Sequence, residues 1–184
     1  MKKYHMTVSL LVLGVIGFQV MTGCATAPPS VQGKADIEHE AAVALAKAQR
    51  NDPSLVNIFD TAAGYAVFPS VGKAAVGIGG AYGKGVLYEH GNAVGYCDLT
   101  QGSIGFQLGG QSYTEILCFE TRQNVENFKQ GNFRFDAQAT AVAIKSGAGA
   151  NAKFTNGVAV FTMDEAGLMF EASVGGQKFS YQVK

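Results

Sequence analysis

The sequence has 184 residues, with 14 basic and 14 acidic side chains, 24 Gly, 4 Pro, 3 Cys and no Trp. That balance lacks the basic excess of a nucleic-acid-binding domain, and the length suits one domain with a proper core after any leader is removed. Abundant Gly beside Val, Phe and Tyr in short alternating runs predicts twisted, bulged strands rather than disorder.

The chain opens with Lys2, Lys3 and His5, runs apolar over residues 6–20 apart from Thr7, Ser9 and Gln19, and reaches Met21-Thr22-Gly23-Cys24. A basic start, an apolar core and a small-residue site make a secretory signal. The apolar run of about 15 residues falls short of the roughly 20 that a spanning helix needs. Its end resembles the bacterial lipobox, with Met21 in the place of the usual Leu. The reading is therefore a signal peptide over 1–23, a lipidated tether over 24–33 that begins at an acylated (palmitate-type) Cys24, and one domain over 34–184. An ordinary signal peptide followed by an incidental Cys is the plain alternative. Ala25 is not Asp, which by resemblance to lipoprotein sorting implies the outer membrane, facing the periplasm. Loss of Lys2 and Lys3 leaves 12 basic against 14 acidic side chains. Residues 25–33, rich in Ala, Pro, Ser and Gly, read as a linker.

Residues 35–50 predict a helix, with Asp36, Glu38 and Glu40 early, Lys47 and Arg50 late, and Ile37, Ala41, Ala44, Leu45 and Ala48 on one face. A short second helix follows, with Asp52 as its cap and Pro53 at its first position. From Gly64 the period becomes two. Strands are expected at 65–68, 74–81, 85–89, 93–99, 104–108 and 114–119. A helix is expected over 121–130, capped by Thr121 and stopped by Gly131. Further strands are expected at 135–144, 151–155, 157–163, 168–174 and 178–183. Short Gly- and Asn-containing links make the sheet mainly antiparallel. The fold class is α+β, with N-terminal helices packed on one side of a curled, Gly-rich sheet or barrel-like sandwich. Gly79-Gly80, Gly109-Gly110 and Gly175-Gly176 each follow an aliphatic residue and precede an aromatic, as turns or close backbone approaches require.

Residues 68–87 carry six Gly with Lys73 and Lys84, which invites a phosphate-loop reading. The spacing fails: Ile78 and Gly85 stand where a Walker loop needs Gly and Ser or Thr, and Tyr82 breaks a dinucleotide fingerprint. His5, His39 and His90 form no metal-ligand spacing, and Ser54, Ser70, Ser103 and Ser112 lack a nucleophile-elbow context. No enzyme, cofactor or metal site is predicted. Cys97 and Cys118, placed on the outer strands of a three-strand meander about 9–10 Å apart, are expected as buried thiols rather than a bridge.

Phe68-Pro69, Val71, Lys73, residues 76–80 and residues 82–87 resemble the opening of the SYLF domain family. Residues 103–111, Ile116-Leu117 and residues 167–172 match it further on, so the likeness spans about 40–183. It implies a domain that binds acidic phospholipids, and bacterial members of the family are often envelope lipoproteins. Two departures stand out. The first helix is acidic where eukaryotic members carry a basic membrane-contacting one, and Tyr96-Cys97-Asp98 replaces an aromatic followed by small residues and Pro. The expected lipid-phosphate ligands are Lys73 and Lys84, with Lys145, Lys153 and Lys178 as further partners. These matter only if they converge, since each Lys near an anionic bilayer contributes about 1 kcal/mol. The competing reading is a structural or partner-binding envelope lipoprotein without head-group recognition.

Overall fold

The structure, a computed structural model, describes residues 26–73, 80–102, 112–133, 135, 141–164 and 174–184. Helix α1 (Val31–Asn51) and helix α2 (Leu55–Thr61) precede strands β1 (Gly64–Lys73), β2 (Ala81–Glu89), β3 (Asn92–Gln101) and β4 (Tyr113–Phe119). Helix α3 (Arg122–Lys129) and strands β5 (Val142–Ala143), β6 (Val158–Asp164) and β7 (Gln177–Val183) complete the described elements.

Ser30 sets the start of α1. Its hydroxyl accepts from the Gly33 N–H at 2.9 Å, satisfying a donor that a helix end otherwise leaves orphaned. The helix thus starts four residues before Ala35, and the last part of the expected tether is helical. Ile37, Ala41, Ala44 and Ala48 form its buried face, as their spacing predicts, and the three Ala let the helix lie close to the sheet. Asp52 departs from expectation. It closes α1, donating its N–H to the Ala48 carbonyl at 2.9 Å, while Ser54 occupies the N-cap of α2. Its carboxylate accepts from the N–H and Oγ of Ser54 at the start of α2 and also from the backbone N–H groups of Gly147 and Gly149.

Among the described residues the sheet has seven strands, in the order β5-β6-β4-β1-β2-β3-β7. Strands β1 to β3 form an antiparallel meander, β4 joins the free side of β1, and β7 returns to β3; β5 and β6 are parallel. The central position of β1 makes Pro69 informative, because Pro cannot donate to a ladder. The register of β1 shifts at Val67/Ser70 against β2 and at Phe68/Val71 against β4, so Pro69 sits in a bulge. Two of the turns place consecutive residues in left-handed backbone: His90 (φ 49°) with Gly91 (φ 76°), and Asn156 (φ 53°) with Gly157 (φ 78°). Both suit the tight turns that match strand twist.

The strong curl shows in contacts between strands that are not neighbours. Gln177 Nε2 of β7 donates to Glu115 Oε2 of β4 at 2.9 Å, although β1, β2 and β3 lie between them. Four strand spacings of a flat sheet would separate them by about 19 Å. Phe68 of β1 and Phe179 of β7 likewise bring their ring centroids to 5.9 Å. The concave face therefore holds Phe68, Leu87, Leu99, Leu117, Phe119 and Phe179, and α3 closes over it with Val125 and Phe128. The convex face packs Val67, Val86, Tyr96, Ile116 and Phe161 against Ala41, Ala44 and Ala48 of α1 and Phe59 of α2. Helices thus lie on both faces, not on one as expected, while the α+β class and the curled antiparallel sheet stand. Gly explains part of the curl. A Cβ on Gly85 would come within 2.6 Å of the Val67 carbonyl oxygen and 2.7 Å of Phe68 Cδ1, and one on Gly95 would strike the Tyr181 ring.

Other expectations shift. Residues 151–155 form no strand: 152–154 are irregular, and Thr155 makes an isolated bridge to Val158. Of the strand expected over 135–144, the described residues show Val142–Ala143. Most of 74–81, and all of 104–108 and 168–173, lie outside the described residues. Strands β3 and β4 are not meander partners, so Cys97 and Cys118 stand three strand spacings apart, about 14 Å in a flat sheet. They also belong to opposite faces. Both are free and buried, and burial raises both thiol pKa values.

Candidate functional site

Cys24 lies outside the described residues, and the described chain begins two residues later, already seated on the sheet. Lys84 Nζ donates to the Thr26 carbonyl at 3.0 Å, the Thr26 and Ser180 hydroxyls are 3.1 Å apart, and the Ala27 N–H donates to Gln182 Oε1 at 3.1 Å. Ala27 is 3% exposed. Residues 26–28 are therefore docked on the fold, and 29–30 lead from them into α1.

This docking uses Lys84, the central residue of the expected phosphate site. Its ammonium also pairs with Asp98 at 3.2 Å and lies 5.8 Å from the centre of the Tyr82 ring. Partial burial would lower its pKa, but Tyr82 and Asp98 outweigh burial and raise it. Lys84 is held as a structural cation. Lys145 and Lys153 do not gather around it. Lys145 follows β5 and Lys153 precedes β6, at one margin of the sheet; Lys178 lies on β7 at the other. All three are exposed. Lys73 ends β1 opposite Ala81.

The groove beside Lys84 runs under α1 along the Pro69 bulge. One part, about 360 Å³, is lined by Asp36, Glu40, Ser70 and Lys84 among others. A neighbouring part, about 430 Å³, shares Glu40, Pro69 and Ser70 and adds His39, Lys47 and Thr114. Thr114 Oγ1 donates to the Pro69 carbonyl at 2.9 Å, which holds the bulge open toward the groove. Both signs of charge line this groove, so it forms no anion cradle. Among the described residues no group of three His, Cys, Asp or Glu is placed to hold a metal ion.

Two buried acids escape a motif-based reading. Glu115 is 0% exposed in the concave core. Its Oε2 accepts from Gln177 at 2.9 Å and from Tyr113 at 3.3 Å, while Oε1 has no hydrogen-bond partner. Burial pushes its pKa up to about 7, against the opposing pull of the Gln177 and Tyr113 bonds. A sequence signal existed: alternation puts Glu115 on the same face as Tyr113 and Leu117, inside rather than outside. Asp52, 1% exposed, takes Ser54 N–H and Oγ and Gly147 N–H on Oδ1, and Gly149 N–H at 2.7 Å on Oδ2. Burial would raise its pKa, yet those bonds hold it below the usual carboxylate value. Asp52 is an anchor for the 147–149 turn.

The described residues thus define an α+β domain with an open, tightly curled sheet, helices on both faces, and its N-terminal segment clamped beside β7. Residues 100–183 match the family model described as Ysc84, Las17-binding protein actin regulator. Beta cell expansion factor A of Aeromonas veronii is 28% identical over 137 residues, which are 74% of this chain and 52% of that protein. The chain spans about half the length of this curated relative. Both matches support the resemblance to the SYLF family.

Proposed function

We propose that this is an outer-membrane lipoprotein facing the periplasm, anchored by acyl chains on Cys24, whose non-enzymatic SYLF domain binds acidic phospholipid. One observation carries the reading: the lipobox-like Met21-Thr22-Gly23-Cys24 ends two residues before the point at which the chain is clamped to the fold. A processing site at the very margin of a folded domain suits a mature N-terminus. Acyl chains then supply the attachment, at about 0.8 kcal/mol per buried methylene. The described residues contain no helix long and apolar enough to cross a membrane, and the anchor would supply that hold. Acidic-phospholipid recognition rests on the family resemblance.

A second reading, a partner-binding or structural envelope lipoprotein, draws support from the lysines. Lys84 is engaged, and Lys145 and Lys153 lie across the sheet from Lys178. The test uses mature chain carrying Cys24→Ser, sedimented with phosphatidylethanolamine vesicles with and without phosphatidylglycerol at low and moderate salt. Head-group recognition predicts pelleting that needs phosphatidylglycerol and weakens with salt. An unacylated chain that stays in the supernatant would favour the second reading.

A further inference from the structure

The geometry points to one edge of the domain as the surface that meets the bilayer: the start of α1 together with the end of β7. The inference rests on acylation of Cys24 and adds the orientation that such an anchor would impose.

A free tether over residues 24–33 would reach roughly 35 Å and leave the domain to tumble. Docking of Thr26 and Ala27 removes that freedom. Only Ala25 separates Cys24 from the clamped Thr26, so the acylated residue lies within about 7 Å of the fold. Whatever surface surrounds Thr26 must therefore sit at the head-group layer.

That surface has the composition for it. Val31 is 88% exposed and Val183 70%, the two highest values among the large exposed apolar side chains of the described residues. Val31 lies at the start of α1 just after the docked residues, and Val183 follows Gln182, which accepts the Ala27 N–H, at the end of edge strand β7 with its side chain turned to the strand's other face. Lys34, Lys178 and Lys184 stand around them. Lys34 lies 5.5 Å from the centre of the Tyr96 ring, Lys178 is two positions from Ser180 on the same side of β7, and Lys184 pairs with Glu38 at 2.9 Å. Asp36 and Glu38 offset two of the three charges. The edge is thus apolar with a weak basic surplus, suited to shallow contact with head groups once acyl chains have delivered it. By contrast α1, at 21 residues, carries the chain about 30 Å away to Asp52, where Lys145 adjoins the 147–149 turn.

The test places single reporter cysteines in the full acylated protein: Val31→Cys, Val183→Cys and, as a distant site, Lys145→Cys. Cys97 and Cys118 are buried and will not compete for label. With the protein reconstituted in phosphatidylethanolamine–phosphatidylglycerol vesicles, a polarity-sensitive fluorophore at 31 or 183 should shift to the blue and be quenched by lipid-borne quencher. The same label at 145 should show neither. Adding Gln182→Ala and Ser180→Ala, both at exposed positions, should reduce quenching at 31 and 183 while the protein stays vesicle-bound. Equal quenching at all three sites, quenching confined to 145, or no effect of the added substitutions would overturn the proposed edge. A protein that carries no acyl group and fails to pellet with vesicles would instead overturn the anchoring premise, and this inference with it.

Discussion

Glu115 dominates at the scale of single residues because a carboxyl in an apolar core is costly when ionised. Its folded pKa, about 7, exceeds the ordinary 4.5, so the folded state binds the proton more tightly than the unfolded state. Its contribution is therefore fully present below about pH 4.5 and falls as pH rises toward 7. Between those limits the loss is on the order of 3 kcal/mol. Glu115→Gln should flatten that slope and raise the melting temperature at pH 8, read by thermal unfolding across pH 4–8. An unchanged slope would mean that Glu115 is not the titrating group. The face that Glu115 occupies was available to strand alternation, which is local, although no motif singled it out. Its partner Gln177 was not legible, since their bond exists only because the sheet curls across three intervening strands. The role of Lys84 was hidden for the same reason: Asp98 and Thr26, 14 and 58 residues away, reach it only through the fold.

Elements differ in how much of themselves the chain spells out. Helix α3 was fully legible, with Thr121 and Asn124 forming a reciprocal capping box and Gly131 at φ 70° after its end. The buried stripe of α1 was legible, but its beginning was not, because Gly33 after two Pro reads as linker until Ser30 is seen to cap it. Ser30→Ala should cost about 1 kcal/mol. Asp52 links elements more strongly, joining the end of α1 to the turn at Gly147 and Gly149. Asp52→Ala leaves buried N–H groups unsatisfied and should cost on the order of 2–4 kcal/mol in urea unfolding at pH 7. Its depressed pKa adds a sign: the stabilisation is present above the ordinary carboxylate pKa, near 3.8, and is lost as pH falls below it. The wild-type advantage over Asp52→Ala should therefore shrink in acid, whereas an advantage constant from pH 7 to pH 2 would argue against an ionised anchor.

The whole molecule was legible in class but not in order. Alternating runs and Gly-rich links identify a curled antiparallel sheet, yet the placement of β4 beside β1 and of β7 beside β3 depends on pairings between distant segments. Those same pairings set Lys145 and Lys153 at the far margin of the sheet and bring Thr26 to β7, so the two proposed readings place the membrane-facing surface differently. The resulting account is of a domain carried to a membrane by Cys24 and held there in one orientation by its docked N-terminal segment. Its most direct test is mass spectrometry of the N-terminal peptide of the protein made in a lipoprotein-processing bacterium, paired with membrane fractionation of the natural chain and of Cys24→Ala. The account predicts a mature chain that begins at an acylated Cys24 and resides in the membrane fraction, with Cys24→Ala lost from that fraction. An unmodified Cys24, or a Cys24→Ala protein that fractionates with the membrane as the natural chain does, would contradict it.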